Sequence, residues 1–323
     1  MLAAYAARIS REDPLSGLEL GELPEPTPAN GWVRVQVKAA SLNHHDLWSL
    51  KGVGLTADRL PMVLGCDAAG IEESSGDPVI VHSVINDPPI MGIDETMHPG
   101  RTLLSELYDG TLAEYVVVPR HNVVPKPKAL TWEEAACLPT AWLTAYRMLF
   151  TRSGVAPGST ILVQGAGGGV STALISLAHA TGYRVWVTSR EESKRARALE
   201  LGADAVFESG ARLPERVDAV METVGAATWE HSLKSLRPGG TVVVSGATSG
   251  PNPPADLARV FFLQLSVVGS TMGTLEELKR LVQLCESSGL RPVIDAVHPL
   301  ADARAAFERL ASGDVFGKLV VTV

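Results

Sequence analysis

The spacing of apolar residues changes character near residue 160. Over residues 32–40, WVRVQVKAA, Val33, Val35 and Val37 alternate with Arg34, Gln36 and Lys38. That period of two predicts a half-exposed antiparallel strand. Residues 2–20 read as a strand and turn, with Asp13 and Pro14 at the polar tip, and Pro24, Pro26 and Pro28 as an extended linker. Residues 41–51 read as a loop or short helix, and strands are predicted over 61–71, 78–84 and 115–118. Residues 85–109, with Pro88, Pro89 and Pro99, read as a long loop, a kind of segment that usually carries function. Val124-Pro125-Lys126-Pro127 reads as a stiff connector. Residues 131–150 read as helical, capped by Thr131, with Glu133 and Glu134 in the first turn and a break at Pro139.

From residue 160 onward, short strands alternate with amphipathic helices. Strands are predicted over 160–164, 184–188, 205–207, 219–222, 241–245 and 266–269. Helices are predicted over 171–181, 191–201, 228–236 and 255–264. This alternation is that of an α/β doubly wound parallel sheet. Helices over 275–287 and 301–310 and a strand over 318–323 follow, and the final strand most simply rejoins the first part of the chain.

The stretch TILVQGAGGGVSTALISL, residues 160–177, is the focus of this pattern. Ile161, Leu162 and Val163 are a continuous apolar run, as in a parallel strand buried on both faces. Gly165, Gly167, Gly168 and Gly169 crowd the turn that follows, and Ala173, Leu174, Leu177 and Ala178 then recur at helical spacing. A glycine turn between strand and helix brings a pyrophosphate onto free N–H groups and the positive end of the helix dipole. Gly167, Gly168, Gly169 and Val170 are the expected phosphate contacts. Ser171 stands where such fingerprints usually carry glycine, and it is small enough to pack there.

Composition narrows the classes of function. The chain has 323 residues, 46% hydrophobic and 20% charged, which suits a soluble protein of two domains. A net charge of −8 argues against a nucleic-acid partner. The three cysteines, Cys66, Cys137 and Cys285, are scattered and form no CxxC pair. No apolar run is long enough for a membrane span and the first residues lack a signal-peptide layout, so a cytoplasmic protein is expected.

The second strand of the α/β part ends Val187-Thr188-Ser189-Arg190, with no carboxylate at its tip for a ribose 2′-hydroxyl. Ser189, Arg190 and Lys194 suit a 2′-phosphate instead, so NADPH is expected over NADH.

The segments LNHHDLW (residues 42–48), VLGCDAAG (63–70), EYVVVP (114–119), GAGGGVS and FGKLV (316–320) together resemble the medium-chain dehydrogenase/reductase superfamily, nearest its quinone oxidoreductase-like branch. The resemblance spans nearly the whole chain. It implies a GroES-like β-rich catalytic domain from residues 1–141 and 272–323, a Rossmann domain over 142–271, and a homodimer. Zinc-dependent members hold catalytic zinc at positions that here carry Asn43, Cys66 and Thr140, and the four cysteines of their structural zinc lobe are missing from 85–109. No zinc is therefore expected. By the same match, Asn43 is expected to turn its amide toward the nicotinamide or the acceptor oxygen. Asp46 is expected to orient its loop, His44 or His45 to donate a proton, and Trp48 and Tyr108 to line an acceptor pocket. Thr144 is expected beside the nicotinamide; Gly246, Ala247 and Thr248 at its ribose; Ser270, Thr271 and Met272 at its carboxamide; and Lys318 at the cofactor phosphates.

These residues point to a zinc-independent, NADPH-dependent reductase of quinones or α,β-unsaturated carbonyls, small electron-poor molecules that accept hydride at carbon. An alcohol or aldehyde dehydrogenase of the same superfamily and a cofactor-binding relative without turnover remain as alternatives. The acceptor itself is not legible.

Overall fold

A computed structural model describes residues 1–86 and 94–323. Of the loop expected over 85–109, residues 87–93, with Pro88 and Pro89, lie outside the described residues. The contacts divide the chain into two units, residues 1–143 with 272–323, and residues 144–271. Among the described residues no helix is long and apolar enough to cross a membrane.

In the first unit the chain forms β1 (Leu2–Ala6), β2 (Leu18–Glu22), β3 (Trp32–Ser41), α1 (His44–Leu50), β4 (Met62–Val63), β5 (Asp67–Glu72), β6 (Pro78–Val81), β7 (Val84–Ile85), β8 (Thr102–Leu103), β9 (Tyr115–Pro119), β10 (Val123–Pro125) and α2 (Trp132–Ala136). α3 (Leu143–Tyr146) spans the division between the units. The second unit holds β11 (Thr160–Gln164), α4 (Gly169–Ala180), β12 (Arg184–Thr188), α5 (Glu192–Glu200), β13 (Ala205–Phe207), β14 (Val217–Glu222), α6 (Ala226–Ser235), β15 (Leu236–Val244), α7 (Leu257–Phe262) and β16 (Ser266–Gly269). The first unit is completed by α8 (Leu275–Ser288), β17 (Ile294–Pro299), α9 (Ala303–Ser312) and β18 (Lys318–Thr322).

β3 is the spine of the first unit. Val33, Val35 and Val37 are buried while Arg34, Gln36 and Lys38 are half-exposed, as the period of two predicts. β3 pairs antiparallel with β5, β9 and β18. The sheet runs β10-β6-β5-β3-β18-β17, so the strand over 318–322 does rejoin the first part of the chain. Past Lys38 the alternation stops, and Ala39, Ala40, Ser41, Leu42 and Asn43 are all buried. This end of β3 carries polar residues into the interior.

Several expectations need correction here. The strand expected over 61–71 is two strands, because Gly65 turns the chain at φ +98° and a Cβ there would stand 2.5 Å from Thr111 Oγ1. Val123-Val124-Pro125 is a strand on β6 rather than a connector. The helix expected over 131–150 is interrupted just ahead of Pro139, where α2 ends at Ala136, but the chain continues through wide i→i+5 turns at Leu138–Trp142 and Arg147–Arg152 rather than leaving helical geometry. β17 has no sequence signal because none of its residues is buried and it ends in Pro299.

The second unit follows the α/β reading closely. Its parallel sheet has the order β13-β12-β11-β14-β15-β16. β11 lies inside the sheet with every residue buried, so its continuous apolar run packs on both faces. The order reverses at β11, and this is the doubly wound dinucleotide-binding arrangement, with ligands bound beyond the strand ends at the reversal.

Candidate active site

In the second unit, β11 ends at Gln164 and Gly165 takes φ +79°. α4 begins after Gly168, with no side chain capping its first turn and no acidic residue in it. Its first N–H groups thus stay open to an anion at the positive end of a twelve-residue helix. A Cβ at Gly165 would stand 3.4 Å from Val224 Cγ2 and 4.0 Å from Ser171 Oγ. Ser171 itself is buried against the turn, so the serine fits where glycine was anticipated.

The strand ends on either side complete this surface. At the β12 end Ser189 is buried, its Oγ accepting from Glu191 N at 3.3 Å, and Arg190 is exposed. Lys194 Nζ pairs with Glu191 Oε1 at 2.8 Å. Arg195, which sequence reading passed over, donates from Nη1 to the carbonyls of Ser189 and Arg190 at 2.7 and 3.2 Å and so holds this tip in shape. On the other side Gly246 sits against Thr223, whose carbonyl would lie 2.9 Å from any Cβ there. Gly246 and Ala247 are half-buried and Thr248 is exposed. Ser270 follows β16, and its Oγ is buried with no hydrogen-bond partner among the described residues. Thr271 is exposed, Thr144 is buried, and Met272, in the first unit, takes the left-handed φ of +48°. The open helix start, the glycine turn and the orphaned Ser270 hydroxyl fit a pyridine dinucleotide.

The first unit builds a buried polar cluster where β3 runs into α1. Asn43 precedes α1, and its N–H donates to Asp46 Oδ2 at 2.7 Å. Asp46 Oδ1 accepts from Gly65 N at 3.1 Å. Asp46 is fully buried. Burial, helped by nearby Asp67, pushes its carboxyl up to about 6 against the pull of His45, the Asn43 N–H and Lys318. It ties the start of α1 to the turn at Gly65.

The expectation that Lys318 contacts the cofactor phosphates is corrected by the bonds it makes inside the first unit. Lys318 is 2% exposed, and Nζ donates to Leu42 O at 2.7 Å, Asn43 Oδ1 at 2.6 Å and Asp67 Oδ2 at 3.3 Å. All three ammonium hydrogens are spent inside the first unit. Asn43 Nδ2 donates to Asp67 Oδ2 at 2.8 Å and reaches Ser41 O at 3.4 Å, so its N–H groups also face inward. A cation at its oxygen and an anion at its nitrogen fix the amide the right way round. The expectation that this amide addresses the acceptor oxygen is corrected accordingly. Ser41 Oγ completes the cluster, 2.8 Å from Asp67 Oδ2.

These residues do not fit a zinc ion. Asn43 and Asp67 already share a cation, the Lys318 ammonium. Cys66 is fully buried, and its Sγ donates to Leu104 O at 3.2 Å. Burial, Asp46 and Asp67 hold its thiol well above the usual range, whereas zinc needs the thiolate. Thr140 Oγ1 is a hydroxyl with no partner among the described residues.

The remaining candidates divide. His44 is half-buried, and burial, Lys318 and Lys51 lower its pKa, so it is neutral near pH 7. Its ring lies 6.4 Å from that of Trp48. His45 contacts Ser49 Oγ at 3.4 Å. Tyr108 stacks on Trp32, with ring centroids 4.8 Å apart, and packs against the core of the first unit. No ring contact joins Tyr108 to Trp48 among the described residues.

Two family models match. The alcohol dehydrogenase GroES-like domain matches residues 29–128, and the zinc-binding dehydrogenase model matches residues 169–287. A zinc-type alcohol dehydrogenase-like protein of Schizosaccharomyces pombe is 31% identical over 98% of this chain and 99% of its own. The quinone oxidoreductase of Mus musculus is 28% identical over 92% of this chain and 90% of its own. Among solved structures, an NAD-dependent alcohol dehydrogenase superposes with a TM-score of 0.92 at 35% identity, covering 100% of both chains. The 2-octenoyl-CoA carboxylase reductase CinF, in complex with NADP and 2-octenoyl-CoA, superposes with a TM-score of 0.91 at 28% identity, over 99% of this chain and 87% of its own.

Proposed function

The chain is an oxidoreductase of the medium-chain dehydrogenase/reductase superfamily, and on that premise we propose that it reduces quinones or α,β-unsaturated carbonyls with NADPH and without zinc. The carrying observation is the Lys318 ammonium bonded to both Asn43 and Asp67, which fills with a fixed organic cation the cluster that would otherwise offer donors to a metal. Quinone oxidoreductase and the 2-octenoyl-CoA carboxylase reductase CinF among the similar proteins support the acceptor class.

NADPH, when bound, supplies a hydride from C4 of its nicotinamide. The first N–H groups of α4, with Gly167, Gly168, Gly169 and Val170, would hold the pyrophosphate. Ser189, Arg190 and Lys194 hold the 2′-phosphate. Backbone groups of Gly246, Ala247 and Thr248 would hold the nicotinamide ribose, and Ser270, Thr271 and Met272 the carboxamide, for which the Ser270 hydroxyl is an available partner. Thr144 would help to hold the nicotinamide ring. Lys318 and Asp67 keep Asn43 rigid at the start of α1. Neutral His44 donates a hydrogen bond to the acceptor oxygen as charge develops there, and water delivers the proton. A homodimer fits Phe261 and Phe262 on α7, 72% and 79% exposed, beside the edge strand β16 with Val267 at 50%.

The test is steady-state oxidation of NADPH with quinones, enones and 2-enoyl-CoA thioesters, beside oxidation of primary and secondary alcohols with NADP+ and NAD+. Turnover of the electron-poor acceptors, unmoved by chelator, is expected. Turnover of alcohols alone, or activity that tracks bound zinc, would establish the alcohol dehydrogenase reading, which the 35% identical NAD-dependent structure favours. Cofactor binding with no turnover of any acceptor would establish a non-catalytic relative.

A further inference from the structure

Glu222, the last residue of β14, is fully buried, yet no ion pair with a lysine or arginine engages it among the described residues. Its carboxylate is instead surrounded by donors. Oε1 accepts from Val224 N at 2.8 Å and from Gly225 N at 3.0 Å. Thr228 Oγ1 lies 2.9 Å from both oxygens, and Ser232 Oγ donates to Oε2 at 2.6 Å. A buried anion of this kind holds each donor in a fixed direction. Gly225, which precedes α6 at φ +92°, has no side chain with which to cap the helix, and Glu222 does so from three residues back.

The turn fixed by Glu222 supports the next one. Ser249 N donates to Val224 O at 2.7 Å, and Ala226 N to Gly250 O at 3.0 Å. Ser249 Oγ bonds both Val224 O at 2.7 Å and Ala227 N at 2.9 Å. Contact is close enough that a Cβ at Gly225 would stand 2.6 Å from Gly250 O. The backbone after β15, with Gly246, Ala247 and Thr248, thus rests on the turn that Glu222 organises.

In a doubly wound sheet each half serves one mononucleotide. With the pyrophosphate at β11, the 2′-phosphate lies toward β12, and the nicotinamide half lies toward β14, β15 and β16. We propose that Glu222 is a positioning residue for the nicotinamide half of the cofactor, acting through the turns after β14 and β15. This rests on the reading that a pyridine nucleotide binds at these strand ends.

Glu222→Gln tests it at nearly constant volume. Gln164 Nε2 already donates to Ser232 Oγ at 3.0 Å, so that hydroxyl accepts from Gln164 and donates to Glu222. A glutamine amide facing the two backbone N–H groups with its oxygen turns its NH2 toward Ser232, which then receives two donors and loses its acceptor. The variant should bind NADPH about tenfold more weakly, a loss of about 1.4 kcal/mol, because it exchanges a charged acceptor for a neutral one. It should bind 2′,5′-ADP within about twofold of the parent, since that fragment carries only the adenosine half. Titration calorimetry with both ligands reads the difference, and KM for NADPH should rise with a smaller change in kcat. Equal losses for both ligands, or none for either, would overturn the assignment. If E222Q does not fold, Thr228→Val removes one hydroxyl donor from the same carboxylate and should give the same split at smaller size. A parent protein that binds neither ligand overturns instead the reading on which the assignment rests.

Discussion

Replacing Lys318 separates two accounts of what this residue does. Lys318→Met keeps the length and apolar stem of the side chain and deletes the ammonium. Three hydrogen bonds disappear, to Leu42 O, Asn43 Oδ1 and Asp67 Oδ2. The Asp67 carboxylate stays behind, fully buried, with Oδ2 facing only the neutral donors of Ser41 and Asn43, and with Oδ1 lacking any partner among the described residues. Removing one partner of a buried ion pair costs about 3–5 kcal/mol, chiefly because the other charge is stranded. Urea unfolding followed by tryptophan fluorescence should show a loss of that size for the transition that exposes the first unit. Adding Asp67→Asn should restore all but about 1–2 kcal/mol, because the stranded charge is then gone. NADPH and 2′,5′-ADP should bind the folded K318M protein as they bind the parent, because the ammonium makes its bonds inside the first unit. A K318M protein that keeps its stability but loses affinity for the phosphates would refute this account and reinstate a phosphate contact. Failure of Asp67→Asn to restore stability would refute the electrostatic part of it.

Three further outcomes are expected. Asp46 is held at about 6 in the fold against 3.8 outside it, so its contribution is fully present below pH 3.8 and is lost as pH rises to about 6. Relative to Asp46→Asn, the parent should therefore lose about 3 kcal/mol across that window in denaturant titrations, and a constant difference would refute the shift. Arg190→Ala should lower the NADPH over NADH ratio of kcat/KM by about 10–100-fold, from the loss of a charge-assisted phosphate bond, and Lys194→Ala by less because Glu191 already pairs with it; a ratio unmoved by both would remove the 2′-phosphate from this tip. Phe261→Glu with Phe262→Glu should shift sedimentation from dimer to monomer, since burying each ring is worth about 1.5–3 kcal/mol, and an unchanged sedimentation profile would place any interface elsewhere.

The second unit was legible in the sequence because its signals are local. The apolar run of β11, the glycines after it and the helical spacing of α4 lie within one short stretch, and each implies the next. The first unit was legible where β3 alternates and illegible where its residues meet across long separations. Lys318 and Asp67 are 251 residues apart, and nothing near either one announces the other. The available clue was a lone lysine in the apolar closing stretch FGKLVVTV, a place where an ammonium is tolerated only with a buried partner. Glu222 offered the same clue at the end of VDAVME. Asn43 was singled out by resemblance, but which way its amide faces depends on both distant partners and could not be read from its neighbours. The short strand β8 lies within the stretch read as a loop and β7 straddles its start, since two-residue strands carry no period.

The placement of β18 also bears on how the chain assembles. The second unit is one uninterrupted segment, so everything its sheet requires has been synthesised by residue 271. The first unit begins earlier and waits longer, because β3 obtains its neighbour β18 only about fifty residues after that point. Until Lys318 emerges, the nascent first unit carries an acidic interior without its counter-ion, and it should stay protease-sensitive on stalled ribosomes while the segment made after it is already resistant.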